Sequence, residues 1–169
     1  MSGHKHDERL CMPMQWTGDE TGSFTGSPWE ALQPDTPAGV KVGAQDGDPA
    51  SLLSLYRQLI YLRNTHPALA QSDLSLVDAG NPSVTVYLRQ TEVEEALVIL
   101  NFGTSLVENP TLTAYACRLA LGSYHLQPWL SNEPPADLKI GRGRTFTGYT
   151  PLARLEPQTG DVFVLMAVA

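Results

Sequence analysis

Val84-Thr85-Val86-Tyr87-Leu88 and Ala96-Leu97-Val98-Ile99-Leu100-Asn101-Phe102 decide the fold class. The first stretch alternates apolar and less apolar side chains with a period of two, the spacing of a pleated strand. The second is a short unbroken apolar run and reads as a central strand. Glu92, Glu94 and Glu95 lie between them and read as a solvated turn. Just upstream, Leu74-Ser75-Leu76-Val77 repeats the period of two, and Gly80-Asn81-Pro82 supplies the turn that joins it to Val84. Downstream, further strands are expected at 116–121, 125–129, 138–140, 145–147, 153–155 and 162–168. Turn residues punctuate them at short intervals, so the expected fold is mainly β, an antiparallel β-sandwich. No internal repeat or low-complexity run interrupts the pattern.

Before residue 72 the character changes. Asp48-Pro49 suits the opening of a helix, because Asp can accept from free backbone N–H groups and Pro is tolerated in the first turn. Leu52, Leu55, Tyr56, Leu59 and Leu62 then recur at steps of three and four, making one apolar stripe, with Leu53 and Ile60 widening it. Pro67 ends the helix and biases His66 toward an extended backbone. Residues 1–48 are rich in Gly, Pro, Thr and Asp and read as a long loop. A lone helix ahead of a run of strands is odd for a self-contained fold. It is expected if the helix is the last one of an incomplete (β/α)8 barrel, since a whole barrel needs about 200–250 residues. The expected division is therefore 1–72 as the end of a barrel and 73–169 as a C-terminal β-sandwich. Residues after about 72 are expected to form the stable unit, and 1–48 to be loosely held.

Composition narrows the function. Eleven basic residues stand against 18 acidic ones, a formal net charge of −7. Nucleic-acid binding needs a basic footprint, so that class is disfavoured. No stretch of about 18 apolar residues exists to cross a membrane as a helix. The N-terminal residues lack the apolar centre of a secretion signal. The two cysteines, Cys11 and Cys117, do not make a disulfide scaffold and are read as free thiols in a reducing compartment. A cytoplasmic location is the expectation.

One motif carries more than composition. Cys11-Met12-Pro13-Met14-Gln15-Trp16, followed by the stretch from Gly22 to Trp29, resembles the region after the eighth barrel strand in α-glucosidases of glycoside hydrolase family 13. Oligo-1,6-glucosidase, trehalose synthase and α-amylase-type enzymes are in that group. Leu62-Arg63-Asn64-Thr65-His66-Pro67-Ala68-Leu69 is similar to the end of the family's final barrel helix. Val86-Tyr87-Leu88-Arg89 and Leu97 to Phe102 resemble the first strands of its C-terminal sandwich. The ordered series of matches is more specific than any one of them.

The resemblance implies a parent enzyme that acts on α-glucosidic bonds of oligosaccharides with retention. Such chemistry needs two carboxyl groups about 5–5.5 Å apart across the scissile bond. In the family these groups stand on the fourth, fifth and seventh barrel strands. No Asp or Glu here matches them by motif, so no catalytic residue is assigned and the chain alone is expected to be inactive. The implied substrate-binding candidates are Arg9 and Gln15. The family's Arg at the start of the Pro-Met-Gln-Trp motif is replaced by Cys11, which exchanges a charged donor fork for a small weak donor. No cofactor is implied. A stand-alone carbohydrate-binding or interaction module is the alternative, and in the isolated chain either self-association through the helix stripe or a fold-back of the 1–48 loop over it is expected.

The remaining constellations favour plainer readings. His4, His6, Asp7 and Glu8 match no structural zinc spacing. Cys11 has no Cys-His signature beside it, and Cys117 reads as a core residue in a strand. Trp16, Phe24, Trp29 and Tyr56 suit packing better than a sugar platform. Gly141-Arg142-Gly143-Arg144 lacks the context of a phosphate loop and reads as a basic hairpin turn.

Overall fold

The computed structural model describes residues 13–17, 26, 32 and 38–168. The chain divides into two compact units, Met1–Tyr61 and Leu62–Ala169.

In the first unit a 3-10 turn at Ala38–Val40 leads into α1 (Val42–Gln45), so 38–45 is not the featureless loop the composition suggests. The helix α2 (Leu52–Thr65) follows, and the division between the units runs through it. Its cap is Ser51, three residues later than expected. The Ser51 Oγ accepts from the Ser54 N–H at 3.2 Å, and Gln45 Oε1 accepts from the Leu53 N–H at 3.0 Å. These bonds occupy donors that have no partner inside the helix. Asp48 instead makes a turn: its Oδ1 accepts from the Ala50 N–H, and its carbonyl accepts from Ser51 and Ser54 hydroxyls. Leu52, Leu55, Tyr56, Leu59 and Ile60 are exposed, and only Leu62 of the stripe is buried.

The second unit is mainly β and antiparallel. Its strands are β1 (Asp73–Val77), β2 (Val84–Gln90), β3 (Glu95–Asn101), β4 (Val107–Glu108), β5 (Leu112–Ala114), β6 (Gly122–Leu130), β7 (Leu138–Ile140), β8 (Phe146–Tyr149), β9 (Arg154–Leu155) and β10 (Thr159–Ala167). One sheet has six strands in the order β1-β2-β3-β10-β6-β7, and two small sheets pair β4 with β9 and β5 with β8. The inner face of the large sheet contributes Val86, Leu88, Leu97, Ile99, Leu126 and Phe163 to a core shared with Leu112, Phe146 and Leu155 of the small sheets. Along β2 burial alternates, as its sequence period requires. On β3, Ala96 and Val98 are buried on the reverse face, which explains the unbroken apolar run.

The stretch 116–121 is not a strand. Cys117 and Leu119 are buried there, but the neighbouring strand is β5, a few residues earlier. Two buried side chains at a spacing of two mimic a strand whether or not the backbone pairs. The short strands β4 and β5 were not expected, because two or three residues carry no period.

Two polar contacts and one bulge hold this unit together. Asn101 is 1% exposed; its Nδ2 donates to the carbonyls of Ser105, Leu155 and Glu156, and its Oδ1 accepts from the Gly103 N–H. Pro67 starts the short helix α3 (Pro67–Ala70), with His66 extended at φ −115° as expected. Glu94 then clamps this corner: Oε1 lies 2.8 Å from His66 Nδ1, and Oε2 accepts from the Ala68 N–H at 3.0 Å. Glu94 is thus part of the packing rather than of a solvated turn, and a carboxylate at a helix start is favourable. The third device is a bulge. The β6–β10 register shifts between Val162, opposite Leu130, and Phe163, opposite Pro128, leaving Trp129 as the extra residue. The bulge turns Trp129 onto His66, with ring centroids 3.7 Å apart. Pro128 has no N–H to donate, and a bulge tolerates it.

Candidate functional site

The Pro-Met-Gln-Trp segment is held by its main chain. The N–H groups of Val42 and Gly43, in the first turn of α1, donate to the carbonyls of Gln15 at 3.3 Å and Trp16 at 2.7 Å. The approach is close: a Cβ at Gly43 would stand 3.0 Å from the Trp16 carbonyl, so glycine suits this position. Exposure alternates along the segment. Pro13 and Gln15 are half-buried, whereas Met14 and Trp16 are 61% and 53% exposed. Trp16 and Tyr56, 59% exposed, are therefore not core residues as the sequence suggested. Arg9, Cys11, Phe24, Trp29 and the His4, His6, Asp7, Glu8 cluster lie outside the described residues.

The second unit carries a polar cleft of about 720 Å³, bordered by Ser72, Asp73, Arg89, Gln90, Glu95 and Arg118. The two arginines are already engaged: Arg118 pairs with Asp73, and Arg89 Nε donates to Ser72 Oγ at 2.5 Å. Burial pushes the Glu95 carboxyl above its ordinary range, and a hydrogen bond with Gln90 pulls it part of the way back. Nearby, Cys117 is a free, buried thiol whose Sγ donates to the Arg144 carbonyl at 3.1 Å. Burial raises it too, outweighing its contact with Leu119 and the Arg144 charge, so it is not a reactive thiolate. Sequence placed it in the core correctly, though not in a strand.

A smaller cleft, about 270 Å³, brings Glu133 and Asp161 together. Burial lifts the Asp161 carboxyl; a bond with Ser131 lowers it in part, and Glu133 raises it again. Glu133 is bound to Arg154 Nε at 2.9 Å. That volume is below the about 300–1,000 Å³ of ordinary small-molecule pockets. Neither cleft was legible in the sequence, because each gathers residues from separated strands and loops. No group of three or more His, Cys, Asp or Glu suited to a metal occurs among the described residues. No described helix is long and apolar enough to cross a membrane.

No protein-family model matches the chain. Individual proteins do. A probable oligo-1,6-glucosidase 2 of Bacillus subtilis is 34% identical over 58% of the chain and 18% of its own length. A trehalose synthase of Thermus thermophilus is 34% identical over 80% of the chain and 14% of its own length. Among solved structures, the trehalulose synthase MutB of Pseudomonas mesoacidophila superposes on 92% of the chain and 25% of its own, with a TM-score of 0.65 and 25% identity. The chain thus spans less than a fifth of the length of these two curated relatives. The relatives are of one enzyme group, and the mainly-β fold agrees with the C-terminal domain of its members. These similarities, together with the mainly-β fold, support reading the chain as a fragment of a glycoside hydrolase family 13 enzyme.

Proposed function

We propose that these residues are a non-catalytic portion of an α-glucosidase-type glycoside hydrolase. Residues 1–72 would close a catalytic barrel, and 73–169 would form its C-terminal sandwich. The parent cleaves or rearranges α-glucosidic bonds of small oligosaccharides, with Gln15 and Arg9 as the candidate sugar contacts. The similarity to oligo-1,6-glucosidases and trehalose synthases carries this reading. The half-buried Gln15 and the exposed Trp16 support it, since sugars are held by polar groups beside aromatic faces. A free buried thiol at Cys117 is in keeping with a cytoplasmic protein.

The polypeptide by itself has no glycosidase activity in this reading. Glu133 and Asp161 share a cleft, but Arg154 occupies Glu133 and the space is small. Purified chain incubated with maltose, isomaltose and a chromogenic α-glucoside is expected to release no glucose. Turnover that survives repurification and disappears in Glu133→Gln or Asp161→Asn would overturn the proposal.

A further inference from the structure

The hairpin β7–β8 carries a charge that the rest of the chain does not explain. The molecule has a formal net charge of −7, yet Lys139, Arg142 and Arg144 fall within one turn and its leading strand, with no acid among them. Elsewhere, Arg57 is paired with Asp46, Arg118 with Asp73, and Arg154 with Glu133, while Arg63 and Arg89 donate to the Leu69 carbonyl and Ser72 Oγ; of the described cations outside the hairpin, Lys41 alone has neither. Among the described residues, Lys139, Arg142 and Arg144 have no carboxylate within ion-pair distance. Asp137, the nearest acid in sequence, pairs with His125 at 2.9 Å.

The backbone presents Lys139 and Arg142 on one cleft, whereas Arg144 does not line it and its charge is felt by Cys117. Leu138 and Ile140 point into the core, so Lys139 between them points out, opposite Ser123 of β6. Gly141 N–H donates to the Thr145 carbonyl at 2.9 Å, and Arg144 N–H donates to the Gly141 carbonyl at 3.1 Å, closing the turn. Gly143 has φ +83°, where glycine is favoured. Arg144 follows at φ +57°, and its carbonyl is fixed by the Cys117 N–H and Sγ. Beside the turn lies a cleft of about 530 Å³, bordered by Ser123, Lys139, Arg142, Thr145 and Thr147, with no carboxylate on its wall.

We infer that this cleft binds the phosphoryl group of phosphate or of a small phosphate monoester. A monoester carries about −1.5 to −2 charges at neutral pH and strong acceptor oxygens. An Arg fork can meet two of those oxygens at once, and Lys adds a point charge. The Ser123 and Thr147 hydroxyls supply further donors, and the Thr145 hydroxyl, which donates to the Arg142 carbonyl at 3.4 Å, would have to turn to join them. A neutral sugar would leave the cations uncompensated, and a nucleic acid would meet a net-negative molecule. The site is independent of the proposed role in the parent enzyme.

The test uses the full chain and NMR chemical shifts, titrated in separate arms with inorganic phosphate, glucose 1-phosphate and glucose. Saturable shifts centred on Ser123, Lys139, Arg142 and Thr145 are expected in the first two arms and none with glucose. Equal affinity in the first two arms would identify the phosphoryl group alone as the ligand; tighter binding of the ester would show that its sugar also touches the cleft. Lys139→Glu with Arg142→Glu should weaken binding at least tenfold, and Arg142→Gln, a milder change to the turn, should weaken it less. Lys41→Glu, outside the hairpin, should leave it unchanged. The inference falls if the shifts fail to saturate, if glucose reproduces them, or if the charge reversal leaves affinity intact while the remaining spectrum shows a folded chain. An adventitious ion only would give weak shifts spread over every basic side chain.

Discussion

Asn101 is where a single side chain does most for this fold. Its amide joins β3 to the loop at Ser105 and to the segment between β9 and β10, and it also takes the Gly103 N–H. Asn101→Ala would strand these buried groups, each of which costs about 1–3 kcal/mol when unpaired and dry. With some water entry, a loss of about 2–3 kcal/mol in urea-induced unfolding is expected. A loss below about 0.5 kcal/mol would show that the carbonyls find other donors. Asp161 gives a different signature. Its carboxyl is raised in the folded chain by burial and by Glu133, so the folded state holds the proton more tightly than the unfolded one. That contribution is fully present below the ordinary value of 3.8 and is lost as pH rises through the raised one. Asp161→Asn keeps the shape without the charge. The variant should therefore gain on the parent chain in melting temperature between pH 3.5 and pH 7. A constant difference across that range would mean the carboxyl is not destabilised by burial.

At the scale of the element, α2 and the bulged β6 behave in opposite ways. The bulge at Trp129 converts an irregularity into a contact, because it turns an aromatic ring onto His66, which Glu94 also holds. The helix leaves its apolar stripe bare: Leu52, Leu55, Tyr56 and Leu59 are 63%, 38%, 59% and 40% exposed. Burying a leucine is worth about 1.5–3 kcal/mol. Such a stripe favours association in the isolated chain. Leu55→Lys with Leu59→Lys is expected to lower the mass measured by sedimentation and to leave the β-sheet circular dichroism unchanged. A parent chain that already sediments as a clean monomer, together with a double variant that unfolds, would place the stripe in a folded core instead.

On the scale of the whole molecule, the sequence by itself determined the fold class and pointed to the family that the chain resembles. Period-two alternation at 84–88, the apolar run at 96–102 and the turn at Gly80 are local properties of the chain, and they lie on the strands Val84–Gln90 and Glu95–Asn101 and on a glycine at φ +61°. Pro67 likewise ends α2 by its own covalent geometry. The motif series pointed to glycoside hydrolase family 13 because neighbouring residues carry it. Tertiary structure decided what depends on residues far apart. Glu94 reads as a solvated glutamate until folding brings it to His66, 28 positions away. Leu119 reads as part of a strand because its apolar character reports burial, and burial does not distinguish a paired backbone from a coil. The cleft that joins Glu133 to Asp161, and the basic cleft beside Arg142, exist only once separate strands have been laid side by side. Periodicity fixes which way a side chain faces along its own strand; the partner that it meets there is set by sheet order, which no local pattern encodes.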